Sequence, residues 1–337
     1  MRNTAIINLV TIRKNAENIK KNLEPNCKFC AVVKADGYGH GAVEVANAIY
    51  DIVDCYAVAI LEEAIELRLA GIDKDILVLI PPFNSEIEKF VNYSLTATVD
   101  NKTAISMLNA EAKRQDKKVK AHIKFNAGMN RNGVDTIKEL KSLLNFCKTQ
   151  TWVDIEGLYS HFGAVEKKSL RNKTLKQFTL ANEVIKGYNK KAVSHISASG
   201  GFLVGNMQFD MVRIGLLLYG YLPSGIKSKF LVNPALKIEI SVIKKRILKK
   251  GQTAMYGAKK LKKNTKISLI RFGYADGLER RTIKGQVSNR CMDVTAIKGH
   301  FTRCEYSDVI ALSKSYKTIP YEILTKIAIR ANKKYIR

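Results

Sequence analysis

Long apolar runs are absent from this sequence of 337 residues. No stretch approaches the roughly 18 apolar residues that a membrane-spanning helix requires. Residues 5–10 are mostly apolar, but they form too short and too polar-interrupted a segment for a secretory signal peptide, and no cleavage site of small residues follows. We therefore expect a cytoplasmic protein without a membrane span.

Acidic residues are scarce, since 30 Asp and Glu stand against 57 Lys and Arg and leave a net charge of +27. Such an excess is typical of proteins that bind nucleic acids or anionic surfaces. The lysines are scattered, however, and the sequence contains no basic helix with interleaved aromatic residues and no known nucleic-acid motif. We interpret the charge as a solvated basic surface and predict no nucleic-acid partner.

Cysteines are few and do not form a metal-binding pattern. Cys27 and Cys30 make a single C-x-x-C pair, with no second pair and no histidine at zinc-finger spacing. Cys30 and Cys55 fall in apolar runs, where a free thiol behaves as a small hydrophobic side chain. The sequence therefore predicts reduced, buried cysteines and no metal site.

Short apolar runs alternate with helix-like segments from residue 11 to about residue 220. Eight runs are predicted strands: residues 30–33, 55–60, 76–80, 95–99, 119–125, 155–160, 192–197 and 211–214. The helix-like segments between them include residues 61–70, 101–114, 134–146 and 170–188. This alternation indicates a parallel sheet, and eight such units over roughly 200 residues fit a (β/α)8 barrel of the TIM type. A doubly wound sheet, the main alternative, usually has fewer strands and often a glycine-rich dinucleotide loop, which is not found here.

The pattern changes at about residue 223, where helical periodicity fades. The runs that follow are predicted strands at residues 236–243, 265–270, 294–297 and 309–312. We predict two domains, a barrel over residues 1–222 and a smaller all-β domain over residues 223–337. Pro223-Ser224-Gly225 is the expected junction.

Lys34 opens the sequence K-A-D-G-Y-G-H-G, directly after the first predicted barrel strand. A lysine that ends a buried strand is partly desolvated, and desolvation lowers the pKa of an amine from its usual value of about 10.4. A neutral amine can form a Schiff base with an aldehyde such as pyridoxal phosphate. Local chemistry alone leaves an equal alternative, in which Lys34 merely ends the strand.

Other chemically active residues follow the predicted strands at the same end, where the active sites of (β/α)8 barrels lie. They are Lys124, Arg131, Tyr159, His161, His195, Ser199, Arg213, Gly215 and Leu216. Taken singly, Tyr159 could be a strand aromatic, His195 a core histidine and Lys124 a lysine paired with an acid. Their coincidence at one rim favours a functional site.

Several segments together resemble the alanine racemase family, a group of pyridoxal-phosphate-dependent amino-acid racemases. Besides the Lys34 segment, they are K-F-N-A-G-M-N-R from Lys124, G-L-Y-S-H-F from Gly157, H-I-S-A-S-G from His195, R-I-G from Arg213, A-M-Y-G from Ala254, G-Y-A-D-G from Gly273, C-M-D from Cys291 and Y-E from Tyr321. The resemblance covers nearly the whole chain. It departs at Asn126 and Ala127, where the family has Asp-Thr, and at Ala198, where it has Asn.

The resemblance implies a catalytic pair. Lys34 would carry pyridoxal 5'-phosphate and act as one acid–base group, and Tyr256 would be the other, on the opposite face of the substrate. A tyrosine hydroxyl ordinarily has a pKa of about 10, so it needs help to act as a base near neutrality. His161 and Arg213 would supply that help, and Arg213 would also contact the pyridine nitrogen.

The resemblance also implies the remaining contacts. The residues that would hold the cofactor's phosphate are Tyr38, Ser199, Gly215, Leu216 and Tyr321. Arg131, beside the cofactor's phenolic oxygen, and the backbone of Met292 would bind the substrate. Lys124 corresponds to a lysine that is carbamylated in some members of the family.

In this family Tyr256, Tyr274 and Met292 act in the partner subunit's site, so the resemblance implies a head-to-tail homodimer. The expected activity is interconversion of L-alanine and D-alanine, which supplies D-alanine for peptidoglycan. A serine racemase or a racemase of broad specificity is the alternative. A protein that holds the cofactor without turnover is the third possibility, and the Tyr256 motif argues against it.

Overall fold

The chain forms two compact units, seen in a computed structural model that describes residues 3–205, 207–256, 260–281 and 285–337. The barrel unit consists of Arg13–Gly37 and Ala42–Val232, and the C-terminal unit of the residues up to Ile12, Tyr38–Gly41 and the residues from Asn233 onward. These units divide the chain differently from the predicted boundary at residue 222, since Tyr38–Gly41 groups with the C-terminal residues and the barrel unit extends to Val232. The first strand, β1 (Thr4–Asn8), groups with the C-terminal residues.

The barrel unit is built on eight parallel strands. They are β2 (Lys28–Val32), β3 (Cys55–Val58), β4 (Ile76–Val78), β5 (Ala97–Val99), β6 (Val119–Lys124), β7 (Val153–Tyr159), β8 (Val193–His195) and β9 (Met211–Ile214). All eight lie within the predicted runs or extend them by one or two residues. They are buried almost throughout, as expected for parallel strands covered on both faces.

Hydrogen bonds close these strands into a barrel. The strands pair in the orders β4-β3-β2-β9 and β5-β6-β7-β8. A parallel bridge between Leu77 and Thr96 joins β4 to β5. Ser194 O accepts a hydrogen bond from the N–H of Asp210 (3.0 Å), which joins β8 to the segment leading into β9. The predicted (β/α)8 architecture is therefore confirmed.

Helices connect the strands. They are Ala42–Ala48, Leu61–Leu69, Ile87–Asn92, Lys102–Arg114, Ile137–Cys147, Lys168–Tyr188 and Ser199–Val204, with Leu9–Lys21 preceding β2. Local signals fix their starts: Thr136 accepts from the N–H of Glu139 in a capping box, and Asn101 accepts from the N–H of Ala104. Within the described ranges, no helix is long and apolar enough to cross a membrane.

The C-terminal unit contains a six-stranded sheet. Its strands are β1, β10 (Leu236–Leu248), β11 (Thr265–Ile270), β12 (Thr295–Lys298), β13 (Arg303–Tyr306) and β14 (Asn332–Ile336). Strand β1 pairs antiparallel with β10 and parallel with β14. The N-terminal strand therefore lies between β10 and the edge strand β14, inside a sheet otherwise made by the end of the chain.

One predicted strand is wrong, because residues 309–312 lie in a helix, Val309–Tyr316. Asp308 caps this helix by accepting from the N–H of Ala311 (2.8 Å), and its buried positions recur at helical spacing. A second helix, Pro320–Ile327, follows with proline in its first turn. The smaller unit is thus mainly, but not entirely, β.

Candidate active site

The residues predicted for the barrel rim lie at the C-terminal ends of its strands. Lys124, Tyr159 and His195 are the last residues of β6, β7 and β8. Arg213 lies within β9, and Lys34 follows β2. These five residues meet at one end because the carboxyl ends of parallel strands share one edge of the barrel.

Lys34 is half-buried and opens a left-handed turn. Ala35, Asp36 and Gly37 have φ values of 51°, 54° and 59°, a conformation that costs most residues free energy and that glycine tolerates. The N–H of Gly37 donates to Val33 O (2.8 Å). The turn therefore ends the strand abruptly at the lysine.

The surroundings of Lys34 favour a neutral amine. Burial and the positive charge of Arg131 lower the pKa of Lys34, with a smaller contribution from Arg213, while Glu63 opposes the shift. Glu63 also accepts from the N–H groups of Ala35 (2.6 Å) and Ala59 (2.7 Å). The carboxylate thus fixes the turn as well as moderating the charge.

Arg213 is buried and makes more hydrogen bonds than its neighbours at the rim. Its Nη1 lies 2.5 Å from Nδ1 of His195 and donates to His195 O (3.1 Å). Its Nη2 donates to Ser160 O (2.7 Å) and lies 3.5 Å from Nδ1 of His161. No carboxylate is among its partners in the described part of the chain. A buried cation without a counter-ion is suited to an anionic or electron-rich ligand.

A third histidine, His122, extends this network. His195 Nε2 lies 2.8 Å from Nδ1 of His122, and both side chains are buried. Burial lowers the pKa of His122 to about 3 and that of His195 well below its usual value, in each case reinforced by the charge of Arg213. Both imidazoles are therefore neutral.

Tyr159 is packed among the cationic groups. Its ring stacks on that of His195 with centroids 5.0 Å apart and an angle of 2°. Lys124 Nζ lies 4.2 Å above the ring centre, and its pKa is lowered well below the usual value by burial and by Arg213. The hydroxyl of Tyr159 donates to Leu79 O (3.1 Å), and burial raises its pKa to about 12. Tyr159 therefore supports the site as a neutral phenol.

Asn126, one of the departures from the family pattern, organises the loop that carries Arg131. Its Oδ1 accepts from the N–H groups of Gly128 (3.1 Å) and Asn130 (2.9 Å). Its Nδ2 donates to Asp135 Oδ1 (2.7 Å). An amide can serve both as acceptor and donor here, whereas a carboxylate could not donate to Asp135.

The residues predicted to hold a phosphate in the barrel unit lie where β8 and β9 lead out of the barrel. Ser199 is buried at the start of the helix Ser199–Val204, and its Oγ accepts from the N–H of Leu217 (3.3 Å). Gly215 and Leu216 follow β9 directly. This hydrogen bond joins Ser199 to the segment after β9, in the region where barrels commonly bind phosphate.

Tyr38 and Tyr321 lie in the C-terminal unit, with ring centroids 5.7 Å apart. Gly39 packs against the helix Pro320–Ile327 so closely that a Cβ would lie 2.5 Å from Leu324 O. Burial raises the pKa of Tyr321 to about 12, which keeps its hydroxyl protonated. The two tyrosines, 283 positions apart in the sequence, are therefore neighbours.

The residues that the resemblance places in a partner's site are exposed on the C-terminal unit. The exposed fractions are 61% for Tyr256, 53% for Met292 and 38% for Tyr274. Tyr256 forms an antiparallel bridge with Asn289, and the N–H of Tyr274 donates to Cys291 O (3.2 Å). The segment 289–292 thus contacts both tyrosines. Gly257 of the A-M-Y-G sequence lies outside the described residues.

Two short segments, 273–276 and 291–293, form a compact ledge that carries Tyr274 and Met292. The N–H of Ala275 donates to Met292 O (2.9 Å). A Cβ at Gly273 would lie 2.1 Å from the same oxygen, so only glycine fits. Arg330 forms an ion pair with Asp293 (2.7 Å) at one end of this ledge.

Sequence reasoning missed two members of the rim network, Glu63 and His122. His122 stands two residues before Lys124 on β6, the spacing at which side chains share one face of a strand. The alternation of side chains along β6 was therefore the sequence signal that could have identified His122. Glu63 had none, because its link to Lys34 exists only after β2 and β3 pair.

The comparisons with known proteins agree across the chain. It matches the alanine racemase N-terminal domain over residues 7–223 and the alanine racemase C-terminal domain over residues 235–335. An alanine racemase of Thermodesulfovibrio yellowstonii is 35% identical over 368 aligned positions, which cover 98% of this chain and 97% of that protein.

Solved structures give the same result. An alanine racemase of Clostridium difficile 630 superposes with a TM-score of 0.93 at 29% identity, covering 100% of this chain and 96% of its own. An alanine racemase of Bacillus anthracis, with bound L-Ala-P, gives 0.92 at 28% identity, covering 100% and 95%. The resemblance drawn from the motifs is therefore confirmed, and the chain belongs to the alanine racemase family, whose members are isomerases.

Proposed function

We propose that this chain is a pyridoxal-phosphate-dependent alanine racemase that interconverts L-alanine and D-alanine. The observation that carries the proposal is the pairing of a half-buried Lys34, whose pKa is lowered, with a buried Arg213 at the same rim. The relatives named above supply the substrate class, since they are alanine racemases and one holds L-Ala-P.

The residues present fit pyridoxal phosphate. A neutral Lys34 amine can bond covalently to its aldehyde. Arg213 has no carboxylate partner in the described chain and is always a hydrogen-bond donor, so it suits an unprotonated ring nitrogen. We assign the phosphate to the set predicted above: Ser199, Gly215, Leu216, Tyr38 and Tyr321. When bound, the cofactor withdraws electrons from the substrate and makes its Cα proton acidic.

Two side chains exchange that proton in our proposal. One removes it from one face of Cα, and the other returns a proton to the opposite face. Lys34 serves one face and Tyr256 the other. Burial and the charge of Arg213 lower the pKa of His161 well below its usual value, so that imidazole is neutral and able to bond a phenol.

The substrate contacts follow from the same assignment. Arg131 and the Met292 backbone bind the carboxylate and orient the amino acid. The ledge of residues 273–276 and 291–293 makes the Met292 peptide rigid, because its carbonyl is held by the N–H of Ala275. A serine racemase or a broader amino-acid racemase is the alternative, because these contacts bind the carboxylate, which all amino-acid substrates share.

The active form in this proposal is a cytoplasmic homodimer with shared sites. Tyr256, Tyr274 and Met292 are exposed on one chain and would act in the site of the other. The product D-alanine would serve peptidoglycan synthesis.

The decisive experiment uses the purified protein with added pyridoxal phosphate in deuterated water. L-alanine and L-serine are supplied in parallel, and D-enantiomer formation and deuterium at Cα are followed. We expect rapid formation of D-alanine with serine much slower. Serine as the faster substrate would support the alternative, and cofactor binding without exchange on either amino acid would contradict both.

A further inference from the structure

A buried chain of hydrogen bonds leads from Arg213 down the inside of the barrel. Arg213 can only donate, so the Nδ1 of His195 at 2.5 Å carries no proton. The proton of the neutral His195 ring is therefore on Nε2, and it is donated to Nδ1 of His122 at 2.8 Å. His122 in turn must carry its own proton on Nε2. Arg213 therefore fixes the donor and the acceptor in each of these hydrogen bonds.

The barrel is built to hold His122 in this place. Strand β6 shifts register against β7 between Ala121 and His122, where His122 comes opposite Gly157. A Cβ at Gly157 would lie 2.7 Å from Nδ1 and Cε1 of the His122 ring. The glycine that opens the G-L-Y-S-H-F sequence thus leaves the space for the imidazole, a role that sequence reasoning did not assign.

At the end remote from Arg213, this series of hydrogen bonds reaches a cavity of about 70 Å3 near the beginnings of the strands. His122 lines this cavity together with Asp75, Glu156 and Lys28. Lys120 bridges Asp75 (3.1 Å) and Glu156 (3.4 Å) beside it. A cavity of this size with charged side chains in its lining has room for water, which is the acceptor we expect for the Nε2–H of His122.

We propose that His122 is a positioning residue for the cofactor site. By accepting the Nε2–H of His195, it holds that ring so that Nδ1 faces Arg213, and so fixes the guanidinium that we assign to the cofactor's ring nitrogen. Only the assignment of Arg213 to the cofactor's ring nitrogen rests on the proposed function.

The physical reason is that a buried donor must have an acceptor. Without His122, the Nε2–H of the fully buried His195 would lose its acceptor, and the ring would rotate or shift to recover a partner. Arg213 would then lose its shortest contact. The bond also gives a partner to the buried His122 ring, whose pKa burial lowers to about 3.

The test compares two substitutions of similar size. His122→Asn keeps an acceptor where Nδ1 lies, because its amide oxygen occupies that place, while His122→Leu removes it. Nitrogen-15 spectra of histidine in the cofactor-free protein report the tautomers directly. We expect wild type and His122→Asn to show His195 neutral with its proton on Nε2, and His122→Leu to lose that signature.

The same variants are then loaded with pyridoxal phosphate. We expect His122→Leu to lower kcat on the order of tenfold, the size that loss of an outer hydrogen-bond partner costs at ligating histidines, and to shift the absorbance of the bound cofactor. His122→Asn should restore most of both. The exposed His300→Leu is the matched control and also assigns the spectrum.

The proposal fails if His122→Leu keeps the wild-type His195 signals, or if His122→Asn is as impaired as His122→Leu. Should the leucine variant not fold, Gly157→Ala displaces the ring while His122 remains and must give the same loss of signal. A wild-type protein with no racemase activity would overturn the proposed function, but the cofactor-free spectra would still decide the role of His122.

Discussion

Arg330 Nη1 lies 2.7 Å from Oδ1 of Asp293, and the same nitrogen is 3.7 Å from Oδ1 of Asp276. Asp276 in turn accepts from the N–H of Gly273 (2.8 Å). One arginine therefore ties together both segments of the ledge that presents Tyr274 and Met292. Its contribution to stability is small, since ion pairs of this exposure contribute about 1 kcal/mol or less.

We predict that Arg330→Gln raises KM for alanine several-fold while the free energy of unfolding changes by about 1 kcal/mol or less. The reason is that the Met292 peptide loses its alignment although the fold survives. Steady-state kinetics and denaturant unfolding measure the two quantities. Arg303→Gln, at another exposed arginine of the same unit, should leave KM unchanged. An unchanged KM in Arg330→Gln would show that the ion pairs of Arg330 do not align the Met292 peptide.

Lys34→Ala should abolish the absorbance of covalently held pyridoxal phosphate, because no other amine replaces it at the end of β2. Lys28→Ala is the matched control, since Lys28 is an exposed lysine at the opposite end of the same strand. Absorbance spectra and mass spectrometry of the borohydride-reduced protein report the linkage. A retained band in Lys34→Ala would mean that a different lysine holds the cofactor.

The reactivity of Lys34 should depend on pH in a direction set by its neighbours. Burial and Arg131 lower its pKa, so the neutral amine is present at lower pH than for an ordinary lysine. Reductive methylation of Lys34 in the cofactor-free protein should therefore reach half its maximal rate below about pH 10.4. Arg131→Gln removes a positive charge and should move that midpoint upward, and Arg114→Gln should not.

The same shift has a consequence for stability. The folded chain binds fewer protons at Lys34 than the unfolded chain between the folded pKa and about 10.4, so the unfolding free energy from this group rises with pH over that range. A midpoint of methylation equal to that of a surface lysine would contradict both statements.

Tyr256→Phe should impair proton exchange from one alanine enantiomer far more than from the other, because only one face of Cα depends on the phenol. Deuterium incorporation from each enantiomer measures this. Mixing Lys34→Ala with Tyr256→Phe subunits tests the shared site as well. A mixed dimer would contain one site with both native residues and should regain activity, whereas sites formed within one chain would give none.

Asn126→Asp restores the residue usual in the family, and we predict that it destabilises this chain. The new carboxylate would replace a donor to Asp135 at 2.7 Å and leave two like charges in contact. We expect a loss of about 1 kcal/mol in the free energy of unfolding near neutral pH. Asp135→Asn in the same chain should recover it. A single variant as stable as wild type would show that the loop adjusts freely.

Local sequence patterns determined most of the fold. The strand Thr265–Ile270 was predicted residue for residue, and the eight barrel strands were placed to within a few residues, because short apolar runs bounded by turn residues are a strong local signal for buried strands. Residues 309–312 were wrongly predicted as a strand because this local signal is ambiguous there. Four apolar residues fit a strand and a helix equally well, and the Asp308 cap decided between them.

Strand β1 shows another limit. Its pairing with β10 joins Thr4 to Glu239, a contact that no local pattern encodes. Chain order suggested that the N-terminus belongs to the barrel, while the hydrogen bonds place it in the other sheet.

The sequence by itself determined which reactive residues follow which strands, and with them the family. Only the tertiary structure decided how those groups behave. His122 and His195 are 73 positions apart, yet they share a hydrogen bond whose direction is set by Arg213 on a third strand. The lowered pKa of Lys34 depends on burial and on Arg131, which come from the packing of separate strands and loops. Protonation and hydrogen-bond direction are set by desolvation and by charges a few ångströms away, and these exist only once the barrel has closed.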